Sequence, residues 1–199
     1  MTEEAKKASR FVRNRIEMLS RGEDIGVGAT LAILRRGCGK TPGSMPALWA
    51  VTYRGMPEEL IGNGKDPTRA EWAVHIALTL FALHQQGTSL NERCMNQEGQ
   101  HLGIAVNKLI KEEDDKARIK RRLDAAATSD GVIMLSNHLR GLVQLLKNKD
   151  IALDYERLAE DIYLYQDPDE RDSVRLNWGR DFYRGTMTQD ENKEGNNDE

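Results

Sequence analysis

Apolar positions recur every three to four residues along nearly the whole chain, and strand-like alternation is absent over any useful length. Ala8, Val12, Ile16 and Leu19 form one stripe, which predicts a helix over 3–20. The run ATLAILRR predicts a second, short helix over 29–36. Gly37 and Gly39 end it, because glycine tolerates a left-handed turn. Residues 37–67 are rich in Gly and Pro and read as loop around one short helix near 46–53, which carries Leu48 and Trp49. Thr68 and Glu71 then fit a capping box, with Asp66-Pro67 an alternative start one turn earlier. The run EWAVHIALTLFALHQQ is apolar on most sides, so it predicts the central buried helix, ending at Gly87.

After a polar loop over 88–100, Leu102, Ala105, Val106, Leu109 and Ile110 share a face. The acidic run 112–115 suits the start of the next helix, where negative charge meets the positive end of the dipole. Ser129 is the expected N-cap of a long helix with Val132, Leu135, Leu139, Leu142, Val143 and Leu146 inward. Asp154 caps another, with Leu153 and Leu158 as a hydrophobic staple. Asp167-Pro168-Asp169-Glu170 opens the last, which carries Val174, Trp178 and Phe182. The expected fold is all-α: a compact helical bundle of about eight helices in two packed halves. The expected division is an N-terminal half over 1–97, a C-terminal half with a basic face over 98–187, and a disordered acidic tail over 188–199.

Composition changes this picture only locally. At 199 residues with 39% hydrophobic and 31% charged residues, the chain suits one domain or two small ones. The net charge of −3 taken alone argues against nucleic acid. Yet the last eleven residues hold five acids and one lysine, and local blocks are the better guide. From Lys116 to Lys149 there are eight basic residues and two acids, whereas Asp150 to Arg175 holds nine acids and three bases. Such a cationic block suits an anionic polymer. Half of its bases are arginines, Arg118, Arg121, Arg122 and Arg140, whose planar fork matches phosphate. Arg118, Arg121 and Arg122 share one helical face, and Ile119, Leu123 and Ala126 another. The nearby acids do not neutralise the block in sequence. The bland alternative is a solvated helix face, and the two are separated by whether these cations converge in space.

Other chemistry finds little support. Gly39-Lys40-Thr41 has the end of a P-loop, but Leu34 stands where that motif needs glycine, a helix precedes it and Pro42 follows. It reads as a glycine helix stop and a basic loop, in which Lys40, Arg35 and Arg36 can still touch polymer phosphates. His75, His84, His101 and His138 have no ligand spacing, and Cys38 and Cys94 have no CxxC partner, so no metal and no cofactor is expected. His75 reads as a hydrogen-bonded core histidine. His84-Gln85-Gln86, ending a buried helix, suits capping or tethering of the next loop. No nucleophile elbow is present, so no enzyme is expected. The acidic pairs Asp114-Asp115 and Glu160-Asp161 default to solvated faces. Trp49, Trp72 and Trp178 could stack bases, but apolar surroundings favour core packing for each. With no signal peptide and no apolar run long enough for a bilayer, a reducing cytoplasm is the expected compartment.

The blocks LAILRRGCGK, AEWAVHIALTLFALHQQ, GIAVNKLI, RRLDAAATSDGVIMLSNHLRGLVQLL, LDYERLAEDIYLYQ and WGRDFYR, in that order, resemble the CasB family. That family is the small helical subunit of the type I-E CRISPR surveillance complex, Cascade. The resemblance runs from about Ile16 to Arg184. It implies an all-α, non-enzymatic protein that forms a dimer and bridges the large subunit and the backbone of repeated subunits holding the guide RNA. It also implies a basic surface that holds the displaced non-target strand and steadies the R-loop, an exchange nearly balanced in base-pair energy and therefore sensitive to protein contacts. Arg35 and Arg36 match a paired basic site after the second helix. Arg121 and Arg122 match a basic pair opening the C-terminal half, and Arg140 matches a basic position on the long helix. Lys65 and Arg69 fall where the family tends to place a base before the central helix. The expected nucleic-acid-binding set is therefore Arg35, Arg36, Lys40, Lys65, Arg69, Arg118, Arg121, Arg122 and Arg140, with crRNA and both DNA strands as partners. The competing reading is a helical protein–protein adaptor whose basic and acidic blocks complement each other between copies.

Overall fold

A computed structural model describes residues 2–22 and 26–194, with side-chain surroundings through Arg184. The fold is all-α. Nine α-helices are found among the described residues: α1 Glu3–Ser20, α2 Val27–Gly37, α3 Trp49–Thr52, α4 Arg69–His84, α5 Leu102–Asn107, α6 Glu113–Ala127, α7 Gly131–Asn148, α8 Tyr155–Tyr165 and α9 Pro168–Glu194. Two 3-10 turns, Pro46–Leu48 and Glu58–Leu60, flank α3. Among the described residues there is no strand, only an isolated bridge between Asn96 and Leu153. The acidic tail is helical backbone as far as Glu194, and residues 195–199 lie outside the described residues.

The central helix is α4, buried over almost its whole length because nearly every position is apolar. Its start is the capping box: the Glu71 backbone N–H donates to Thr68 Oγ1 (3.1 Å) and the Thr68 N–H donates to Glu71 Oε2 (2.6 Å). Around it pack α1, α2, α7 and α8, and α8 also lies along α1. One continuous apolar cluster draws on α1 through Ala5 and Leu19 and on α9 through Val174, Trp178 and Phe182. Asp154 caps α8 as the sequence predicts, accepting the Arg157 N–H at 2.9 Å.

Three local expectations are corrected. Asp130, not Ser129, precedes α7. Ser129 instead turns its hydroxyl back to the Ala125 carbonyl, and Gly131 opens the helix at φ +83°. Gly37 is helical and closely packed: a Cβ there would fall 2.5 Å from Leu48 Cδ1, which would have to shift. Of the two, only Gly39 is left-handed, at φ +81°. Glu160 and Asp161 are buried rather than solvated. Arg157 Nε lies 3.0 Å from Asp161 Oδ1, so the charges pair within the molecule.

Candidate nucleic-acid interface

The turn that follows α2 is held from below. His75, on α4, is buried and its Nε2–H donates to the Gly37 carbonyl at 3.0 Å. Burial lowers the His75 pKa, while hydrogen bonds to the backbone of Gly37 and Lys40 oppose that shift. The turn is thereby pinned to the central helix, with Arg36 in its last helical turn and Lys40 just beyond, both exposed. Arg140 arrives from α7. Its Nη1 lies 3.8 Å from where a Cβ on Gly39 would stand, and its charge opposes the rise that burial causes in the Cys38 thiol pKa. Residue 140 therefore comes beside the turn whose chain carries residues 36 and 40, because α2 and α7 both pack on α4. None of the three makes an ion pair with a described residue.

The other expected cations are dispersed. Arg35, one helical step from Arg36, turns away and half-buries at a cavity lined by Leu19, Leu31 and Gln85. Arg69 Nη1 lies 2.6 Å from Asp167 Oδ2 at the start of α9. Arg118 is paired with Asp115. Lys65 is exposed in the loop before α4, beside Asp66 and Glu71. On α6, Arg121 and Arg122 are exposed and make no ion pair among the described residues. The block is also partly neutralised, against the sequence reading. Lys116 reaches Glu113 at 3.4 Å and Lys120 reaches Asp124 at 2.7 Å, so acids of α6 itself, the first two inside its opening turn, take up three of its five bases. Exposed pairs of this kind are weak, at about 0–1 kcal/mol, yet they still lower the local field.

Near Lys40 the surface is not purely charged. Lys40, Thr41, Trp72, Ile133, Ser136 and Asn137 line one cleft. Sequence reasoning weighed Trp72 as a base stacker but favoured core packing for it, and missed Ile133, Ser136 and Asn137 as site residues. The available signal was Ile133-Met134, an apolar pair lying off the buried stripe of α7. Of the three tryptophans only Trp178 is fully core, and Trp72 is half-buried. Trp49 is 51% exposed, with its indole N–H donating to the Gly43 carbonyl at 3.0 Å, so the expectation of core packing fails there. Among the described residues no group of three or more His, Cys, Asp or Glu could hold a metal, and no helix is long and apolar enough to cross a membrane.

The tethering expected of His84-Gln85-Gln86 falls to Gln85. Its amide donates to the carbonyls of Thr88 (2.9 Å) and Arg93 (2.7 Å), and its Oε1 accepts the Met95 N–H at 2.8 Å. His84 instead meets the Tyr155 hydroxyl at 3.0 Å. The opposite end of α6 is held by α8 and α9: the Tyr165 hydroxyl lies 2.9 Å from the carbonyl oxygens of Ala127 and Ser129, and Arg175 Nε donates to Ala127 at 2.6 Å.

The family model for CRISPR-associated protein Cse2 matches residues 30–183. A comparison with curated proteins finds no match. The crystal structure of CasB from Thermobifida fusca is 34% identical, with a TM-score of 0.73 over 88% of this chain and 97% of that one. CasB from M. ruber (23% identity, TM-score 0.66, 92% and 96% covered) and from Thermus thermophilus (21%, 0.63, 86% and 97%) have the same fold. A family match over most of the length, together with that identity to the T. fusca protein, makes this chain a member of the Cse2, or CasB, family of type I-E Cascade.

Proposed function

We propose that this chain is a non-catalytic structural subunit of Cascade that grips nucleic-acid backbone without reading sequence. In this reading it steadies the crRNA–target R-loop and the displaced non-target strand in antiviral defence. Its partners are crRNA, both DNA strands, the backbone repeat subunit, the large subunit and a second copy of itself, all in the cytoplasm. The observation that supports the reading is the arrival of Arg140 beside the pinned turn that carries residues 36 and 40, with none of the three ion-paired among the described residues. Unpaired exposed cations on α2, on the turn after it and on α7 suit phosphates spaced along a strand. Arg121 and Arg122 are a second grip on α6. Arg69 and Arg118 enter the proposal only as residues that must first leave their carboxylates.

The test is an electrophoretic shift with single-stranded DNA of two unrelated sequences, at several salt concentrations. The expected result is similar affinity for both and a steep loss with salt, with Arg36→Ala, Lys40→Ala and Arg140→Ala together weakening binding to both sequences equally. Binding by the triple variant equal to wild type would remove this surface from the proposal. The adaptor reading is favoured by one observation, the exposed Leu176 and Tyr183 on the outer side of α9 (52% and 48%). Assembly with the repeat subunit that survives the triple variant but not Leu176→Ser would separate the two roles.

A further inference from the structure

The cleft beside the basic turn combines groups that phosphate binding does not need. Trp72 comes from α4, Ile133 from α7, and one turn further along α7 Asn137 offers an exposed amide beside the buried Ser136. Ile133 is 60% exposed, which burial in the core does not explain. Lys40 borders the same cleft, and its charge is unpaired among the described residues. An indole and an aliphatic side chain beside a cation can hold the flat face of a nucleobase, and the neighbouring exposed amide of Asn137 can meet its edge. A duplex hides its base faces in the stack, so such a seat serves only an unpaired base.

We infer that Trp72 and Ile133 form a seat for one unstacked base of a single strand whose phosphates lie on the residues of the basic turn. This rests on the backbone-binding reading and narrows it to unpaired nucleic acid at this position. The seat is tolerant of base identity, since every base has a π-face. Asn137 supplies adaptable contacts rather than readout of one base.

The experiment compares oligothymidylate with an oligomer of the same length carrying abasic sites throughout, using the full chain at low salt. The two have the same phosphate charge and differ only in bases. Wild type should bind oligothymidylate about tenfold more tightly than the abasic oligomer, the scale of one base stacked on an aromatic ring. Trp72→Ala should erase that preference while leaving the salt slope unchanged, and Trp72→Phe should keep most of it. Because Trp72 is half-buried, Ile133→Ser serves as the variant that cannot disturb the core, and it should reduce the preference severalfold. Equal, salt-sensitive binding of both oligomers by wild type would overturn the seat and leave the backbone reading standing. Absence of binding to either would overturn both.

Discussion

The Trp178 indole N–H donates to Asp161 Oδ2 at 2.7 Å, joining the most buried face of α9 to a carboxylate sealed inside α8. Burial raises the Asp161 pKa to about 6, against the opposing pull of Arg157 and of the Trp178 hydrogen bond. The fold therefore prefers the protonated acid. Its contribution to stability is complete below the ordinary carboxylate pKa and is lost as pH rises through about 6. His84 behaves oppositely. Burial lowers its pKa to about 4, so its contribution is present above 6.5 and lost as pH falls through 4. Each shift amounts to about 3 kcal/mol, and over the interval between them the two nearly cancel. The expected outcome is a flat thermal stability for wild type from pH 6.5 to 4.5. Asp161→Asn should fall steeply with acid and His84→Asn should not. Melting temperatures across that range check it, and parallel curves for all three proteins would contradict it.

Gly103 lies where α5 crosses α9 with the two backbones in contact. A Cβ there would fall on the Trp178 carbonyl oxygen and 2.7 Å from the Phe182 nitrogen. Neither can move aside as a flexible side chain would. Gly103→Ala should cost about 3 kcal/mol by overpacking. Gly141, inside α7 with open space around its Cβ position, gives the contrast: Gly141→Ala should stabilise by about 1 kcal/mol. Urea denaturation midpoints moving in opposite directions check the pair.

Gln85 holds the 88–95 loop through three backbone groups. Gln85→Ala leaves the Thr88 and Arg93 carbonyls and the Met95 N–H without their partner, at a cost of about 3 kcal/mol. Amide exchange at Met95 should rise sharply, while amides in α6 stay protected. Uniform loss of protection would instead mean that the loop unfolds with the whole domain.

Cations that are tied and cations that are not should behave differently. For single strands, log affinity against log salt falls with a slope of about −0.7 per phosphate neutralised. Removing Arg36, Lys40 and Arg140 together should make the slope shallower by about 2. Arg69→Ala and Arg118→Ala, whose charges already face Asp167 and Asp115, should change it less. Neither should move stability by more than about 1 kcal/mol, because both pairs are exposed.

The helices themselves were legible because periodicity and caps are local. Thr68 with Glu71, and Asp154 before α8, act within one turn of chain, so spacing alone locates them. The same locality explains the failures. Gly37 and Gly39 look alike in sequence, but one answers to Leu48 across a packing contact and the other to its own φ angle. Asp161 reads as a surface acid until Trp178 of the next helix covers it.

What the chain alone determined is an all-α molecule, the burial of α4, and the residue types able to meet phosphate. Which cations stand near one another was decided only by tertiary packing. Arg35 and Arg36 are neighbours in sequence and part by one helical step, whereas residue 140, a hundred positions from residue 40, comes beside Gly39. The reason is that a charged side chain is not positioned by its own propensity. The apolar faces of α2, α4 and α7, closing on one another, carry the cations to where they stand.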